Sequence, residues 1–141
     1  MKHLVFTAIL FISTISFAQE TTNTTAGIFD FESEVIDYGK IKHKTDGNRV
    51  FTFKNIGNTP IIISNVKGSC GCTVATKPSE PIMPGKTGKI GVKYDTNRVG
   101  GFSKTITITS NASESKKVVR IKGIVLKSEE ASNNSAVSVT K

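Results

Sequence analysis

Cys70-Gly71-Cys72 is the segment of this chain whose residue types and spacing could do chemistry. Side chains two apart on an extended strand point to the same side, so the pair presents two sulfurs together. Regular strand geometry spaces their Cα atoms at about 6.6 Å, near the upper limit for a disulfide. Bonding therefore requires the chain to bend, and Gly71 is the residue that permits it. A disulfide closing so small a ring removes little chain entropy, about 1.6 kcal/mol for three residues against about 3 kcal/mol for fifteen, so stability is a poor reason to make one. Ring strain would raise its reduction potential, and in an oxidising compartment that makes thiol–disulfide exchange one reading of the pair. The thioredoxin arrangement, two residues between the cysteines at a helix N-terminus, is not what this sequence has. A soft metal ion is a second reading: two thiolates suit Cu(I), and Met83 on the following loop is a third soft ligand. Tetrahedral zinc fits less well, because Cys70, Cys72, His43 and a carboxylate would have to come from distant segments or a second chain. The third reading is structural, a local crosslink that shapes the loop or a reduced pair packed as small apolar side chains.

Other chemistry is thinly represented. Asp30, Glu32 and Glu34 alternate on one strand face and could hold Ca²⁺, although an exposed acidic face is the commoner use of such a pattern. His43 sits among Lys40, Lys42 and Lys44 and reads as a solvated side chain. No Ser/His/Asp arrangement follows from the spacing, and no Gly-rich loop leads from a strand into a helix. Hydrolysis and nucleotide chemistry are left without candidates, and the chain reads as a non-enzyme.

The N-terminus fixes the compartment in which these residues would work. Lys2 and His3 precede a mainly apolar run from Leu4 to Phe17, and Ser16-Phe17-Ala18 supplies small residues for cleavage between Ala18 and Gln19. That run is too short to anchor the chain in a bilayer, and no second apolar stretch follows that could span one. Residues 1–18 therefore read as a signal peptide, residues 19–27 (QETTNTTAG) as a polar linker, residues 28–127 as one domain and residues 128–141 as a disordered tail. The protein is expected to be exported, periplasmic or secreted. Its formal charge of +8 falls by one when Lys2 leaves with the signal, and the remaining lysines and arginines are dispersed. An exported chain without interleaved aromatic and basic residues is no nucleic-acid binder; the charge implies solubility and loose attraction to anionic surfaces.

The elements that must position the cysteines are strands. After residue 18 short alternating segments rich in Val, Ile, Phe and Thr recur, separated by Gly, Asn, Asp or Pro. The first spans 29–36, with Phe29, Phe31 and Val35 on one face, and closes at Tyr38-Gly39. Residues 49–55 turn Phe51 and Phe53 inward, and Ile56-Gly57-Asn58-Thr59-Pro60 makes a turn. Three consecutive isoleucines begin the strand over 61–66 and imply a central, doubly buried position. Residues 73–76 extend or restart a strand. Three more follow, burying Ile90, Val92 and Tyr94, then Phe102, Ile106 and Ile108, then Val119, Ile121 and Val125. Six or seven short strands without crossover helices predict an all-β, immunoglobulin-like antiparallel β-sandwich of about seven strands, with a small barrel as the alternative.

In order along the chain come Phe31 and Asp37-Tyr38-Gly39, Phe51 and Phe53 with Asn55-Ile56-Gly57, Pro60, Ile61 and Ile63, Ser69-Cys70-Gly71-Cys72-Thr73, Pro81-Ile82, Pro84-Gly85 and Ser110-Asn111. Over Phe31 to Val125 the sequence resembles the bacterial family known as domain of unknown function 1573, allied to the abnormal-spindle and hydin type of β-sandwich. Cys-Gly-Cys-Thr is the specific part of the match. The resemblance implies an immunoglobulin-like fold in an extracytoplasmic, often Bacteroidetes-like setting and brings no established activity. The expected function is that of a module binding another envelope or secreted protein, or organising the envelope, through strand edges and loops. A small thiol-redox or Cu(I)-binding protein is the alternative.

Overall fold

A computed structural model describes residues 25–127; residues 1–24 and 128–141, where the signal peptide, most of the linker and the tail are expected, lie outside the described residues. Among the described residues eight strands follow one another without a helix: β1 (Phe29–Phe31), β2 (Val35–Lys42), β3 (Asn48–Asn55), β4 (Ile63–Gly68), β5 (Thr73–Thr76), β6 (Thr87–Tyr94), β7 (Gly100–Ser110) and β8 (Lys116–Leu126). They form two four-stranded sheets, in the orders β1-β3-β6-β5 and β2-β8-β7-β4. β1 to β5 alternate between the sheets, β5 pairs with β6 and β7 with β8, so two separate packed sheets make the fold a sandwich and not a barrel.

Alternation decides the core. Phe51 and Phe53 on β3, Ile90 and Val92 on β6, Ile106 and Ile108 on β7, and Val119 and Ile121 on β8 are all buried between the sheets, on the faces expected of them. Phe29 and Phe31 pack on Phe53 with ring centroids 5.0 and 5.2 Å away. Nearer the opposite end, Tyr94 stacks on Phe102 at 3.7 Å and Tyr38 meets Phe102 edge-on at 5.3 Å. Gly123 is required here, because a Cβ would lie 2.8 Å from that of Tyr38.

Three features differ from the sequence-based expectation. The strand expected over 29–36 is two strands. β1 pairs with β3, the chain crosses at Glu32-Ser33-Glu34, and β2 joins the other sheet parallel to β8, so the sheets are antiparallel everywhere except along this pair. At the crossing the Ser33 hydroxyl donates to the Val35 carbonyl at 2.6 Å, and its oxygen accepts from the Val35 N–H at 3.2 Å. This local bonding takes Val35 off the face of Phe29 and Phe31 and leaves it exposed.

β2 also runs on past Tyr38-Gly39. Gly39 adopts φ +61° and donates its N–H to Asp37 Oδ1 at 2.8 Å, and the ladder with β8 resumes at Lys40 after a register shift. Lys40 and Lys42 are therefore strand residues. Finally, β4 is an edge strand. Ile61 and Ile63 are buried but Ile62 is not. Ile61 exchanges backbone bonds of 2.9 and 2.8 Å with Ile82, and the Ile62 N–H is held by Asn111 Oδ1 at 2.7 Å.

Candidate functional site

Cys70 and Cys72 lie in the tight turn between β4 and β5, outside regular strand, and are joined by a disulfide. Their Cα atoms are 5.2 Å apart, closer than a regular strand allows. The Thr73 N–H donates back to the Cys70 carbonyl at 3.2 Å, which closes the turn around Gly71. Cys72 is buried against the core while Cys70 is half-buried, and the Thr73 hydroxyl lies 3.8 and 3.9 Å from the two sulfurs.

This turn belongs to a cluster of loops at one end of the sandwich. The Asp95 N–H donates to the Cys72 carbonyl at 2.9 Å, tying the turn to the β6–β7 loop. Buried Thr96 of that loop donates from its hydroxyl to the Thr45 carbonyl at 2.6 Å, and the Lys44 N–H returns to the Thr96 carbonyl at 3.1 Å. The Tyr38 hydroxyl donates to the Gly47 carbonyl at 2.8 Å, and burial pushes its pKa up. Asp95 accepts bonds from the side chain and backbone of Asn97, with Arg98 alongside, and its carboxyl is held below the usual range.

The structure does not bring Met83 to the sulfurs. Thr73 pairs with Tyr94 at one end of β6, whereas Met83 precedes Thr87 at the other. Seven strand steps of about 3.3 Å separate those ends by about 23 Å. The soft-metal set of Cys70, Cys72 and Met83 is therefore not assembled, and in the disulfide neither sulfur is a thiolate. His43 lies at the loop end with Nε2 3.1 Å from the Asn97 carbonyl, and among the described residues no three His, Cys, Asp or Glu side chains are grouped as metal ligands. The crossing takes Glu34 off the acidic face and leaves Asp30 and Glu32 on it. Asp30 stays on β1, while Glu34 pairs with Lys117 of the other sheet at 2.7 Å.

Two asparagines matter more than the sequence reading allowed. Asn55, fully buried, accepts at Oδ1 from the N–H groups of Ile28 and Gly57 and donates from Nδ2 to the carbonyls of Thr59 and Ile82. Asn111 accepts from Ile62 and donates to the Pro60 carbonyl at 3.0 Å, standing in for a strand partner. A single Asn before a Gly turn signals the first; nothing local signals the second.

The four sheet edges differ in how they are guarded. β1 carries Asp30 and leads into Glu32; β2 has the Gly39 bulge with Lys40 and Lys42; β4 has a register shift after Ile63 and carries Lys67. Such charges and bulges discourage another strand from pairing. β5 itself, Thr73-Val74-Ala75-Thr76, is uncharged, its register with β6 is unbroken, and Val74 is 64% exposed; the charge beside it is Lys77, whose ammonium donates to the Ile63 carbonyl at 3.2 Å. The bond between Asp95 and Cys72 sets the alternation, so that the backbone groups of Val74 and Thr76 face β6 and those of Ala75 face away.

The family model described as "Protein of unknown function (DUF1573)" matches residues 29–125, which contain nearly every strand residue. No curated protein matches the chain. Among solved structures, a protein of unknown function from Porphyromonas gingivalis W83 superposes with a TM-score of 0.64 at 16% identity, over 75% of this chain and 50% of that one. The ASH/PapD-like domain 7 of human CEP192 gives 0.57 at 9% identity, over 91% of this chain and 100% of that domain. A chain of the CsuC–CsuE chaperone–tip adhesion subunit pre-assembly complex of Acinetobacter baumannii gives 0.53 at 11% identity, over 70% and 52%. The chain thus spans half the length of the Porphyromonas protein it resembles, and at these identities what is shared is the PapD- and immunoglobulin-like fold.

Proposed function

The chain belongs to the DUF1573 family of proteins of unknown function, and from that premise we propose that it is an exported, non-enzymatic immunoglobulin-like module that binds another envelope or secreted protein. The observation that carries this reading is the β5 edge, with Val74 64% exposed on an uncharged strand of unbroken register. An edge of this kind accepts a partner's extended segment by main-chain pairing, with Val74 supplying a side-chain contact. The likeness to a chain of a chaperone–subunit assembly complex supports an envelope setting at the level of fold. The Cys70–Cys72 crosslink enters as the device that shapes the turn leading into β5.

The test places a photo-crosslinking residue at Val74 and compares the captured species with those of an Ala75→Pro variant, which removes the outward-facing N–H without touching the ladder to β6. A discrete adduct at Val74 that Ala75→Pro abolishes is expected. A protein that stays monomeric and captures nothing specific, or an adduct indifferent to Ala75→Pro, would overturn the reading.

A further inference from the structure

The two outer sheet faces differ in charge. Register places Lys40 and Lys42 of β2, Lys67 of β4, and Lys116, Arg120 and Lys122 of β8 on the outward face of the β2-β8-β7-β4 sheet, all exposed. Asp37 is the carboxylate among them, 3.4 Å from Lys122. The other outward face sets Lys54, Lys89 and Lys93 against Asp30 and Glu32. The first face is thus +5 (six cations, one carboxylate) and the second +1 (three and two). The dispersed charge of the sequence is gathered by the fold onto one side.

Between the cations runs a row of hydroxyls. Ser103, Thr105, Thr107 and Thr109 alternate outward along β7, and Arg120 Nη1 donates to Ser103 Oγ at 3.2 Å. Successive members of this row are about 6.7 Å apart, with cations one strand away at about 4.8 Å on either side. All the aromatic rings among the described residues are in or against the core. The face therefore offers nothing on which nucleobases could stack. It offers fixed positive charge and hydroxyl groups, with the exposed side chains of Val35, Val118, Ile124 and Leu126 among them.

We infer that this face binds an extended acidic polysaccharide, its carboxylates on the lysines and Arg120 and its hydroxyls on the Ser and Thr row. The occupant is chosen by complementarity: a polymer bearing anions and hydroxyls at every repeat matches both rows, whereas an acidic polypeptide matches only the charge. This surface is distinct from the β5 edge, so failure here leaves the protein-binding reading standing.

Polygalacturonate is the probe, titrated against protein purified from cells expressing the full chain, with poly-glutamate, neutral dextran and phosphatidylglycerol vesicles as the other arms. Polygalacturonate is expected to bind about tenfold or more tighter than poly-glutamate, with dextran and vesicles silent. Binding should disappear near 1 M salt, where the screening length is about 3 Å. A Lys67→Gln/Lys116→Gln/Arg120→Gln variant should bind about tenfold more weakly, while Lys54→Gln/Lys89→Gln/Lys93→Gln, with the same loss of charge, should bind unchanged. Thermal melts establish that both fold, and Lys116→Gln alone supplies a partial loss should the triple variant not fold. Equal losses in both triple variants, poly-glutamate or vesicles binding as tightly as polygalacturonate, or no binding at low salt would each overturn the inference.

Discussion

Asn55 shows how one polar side chain holds an end of the sandwich together. Its four side-chain bonds reach the segment before β1, the β3–β4 turn and the β5–β6 loop, and its own N–H and C=O bond Lys86 and Gly85. A buried amide is tolerated only because each donor and acceptor is satisfied. Asn55→Ala strands two N–H groups and the Thr59 carbonyl at once, the Ile82 carbonyl keeping its bond from Ile61, and we expect a loss of about 3 kcal/mol, read as a lower urea midpoint at unchanged slope. A shift below about 1 kcal/mol would mean that water replaces the amide, and the segments would then be held by something else. The cysteines teach a different lesson at this scale. Their proximity is legible because one glycine separates them. Met83 could not be placed, since its distance from the sulfurs depends on the antiparallel pairing of β5 with β6, which sets the two ends of β6 between them.

Two glycines on β6 lie on opposite faces of the strand. Gly88 faces inward, where a Cβ would lie within 3 Å of both Phe53 and Ile82, and its absence lets the two sheets close. Gly91 faces outward, where a Cβ would meet Thr76 at an ordinary 3.6 Å. Gly88→Ala should therefore destabilise by about 1–3 kcal/mol through overpacking, while Gly91→Ala should stabilise by about 0.5–1 kcal/mol by restricting the unfolded chain. Chemical denaturation of the two variants checks the opposite signs, and a destabilising Gly91→Ala would overturn the account of that position. The strands that bury one face, β3, β6, β7 and β8, were legible because period-two alternation reports such burial directly. The division of β1 from β2 was not, because the crossing at Ser33 preserves an extended backbone and changes only the sheet to which it bonds. The three isoleucines misled for a related reason: Ile62 is exposed, with its backbone satisfied by Asn111, a residue 49 positions away.

For the whole molecule, the titrating groups fix the pH range over which the fold is most stable. Asp37 and Asp95 have their pKa values lowered from 3.8, Asp37 chiefly by the Gly39 N–H and Asp95 chiefly by the Asn97 side chain. A lowered carboxyl contributes stability above its unfolded pKa and loses it as pH falls through the folded one, so these two act only below about pH 4. Both are on the surface, and the acid limb they produce is shallow. The alkaline limb has more behind it. Burial raises the pKa of Tyr38 and of Tyr94 above 10.0, and Lys117 is raised above 10.5 by its bond to Glu34, with Glu114 adding to it. Each of these groups keeps its proton longer when folded, so its contribution is complete below the unfolded pKa and is lost as pH rises through the folded value. Stability should thus be level from about pH 4 to about pH 10 and fall steeply beyond, with phenolate absorbance rising together with unfolding and not before it. The alkaline decline is expected because Tyr38 and Tyr94 both pack on Phe102, at the loop end of the β2-β8-β7-β4 sheet. Tyr38→Phe removes one titrating group and the bond to Gly47 together, and is expected to lower stability at neutral pH while making the alkaline decline shallower. Thermal melts from pH 2 to 12 on both proteins decide it. A decline that begins below pH 9, or an alkaline limb that Tyr38→Phe leaves as steep as before, would show that the buried tyrosines do not set the upper limit.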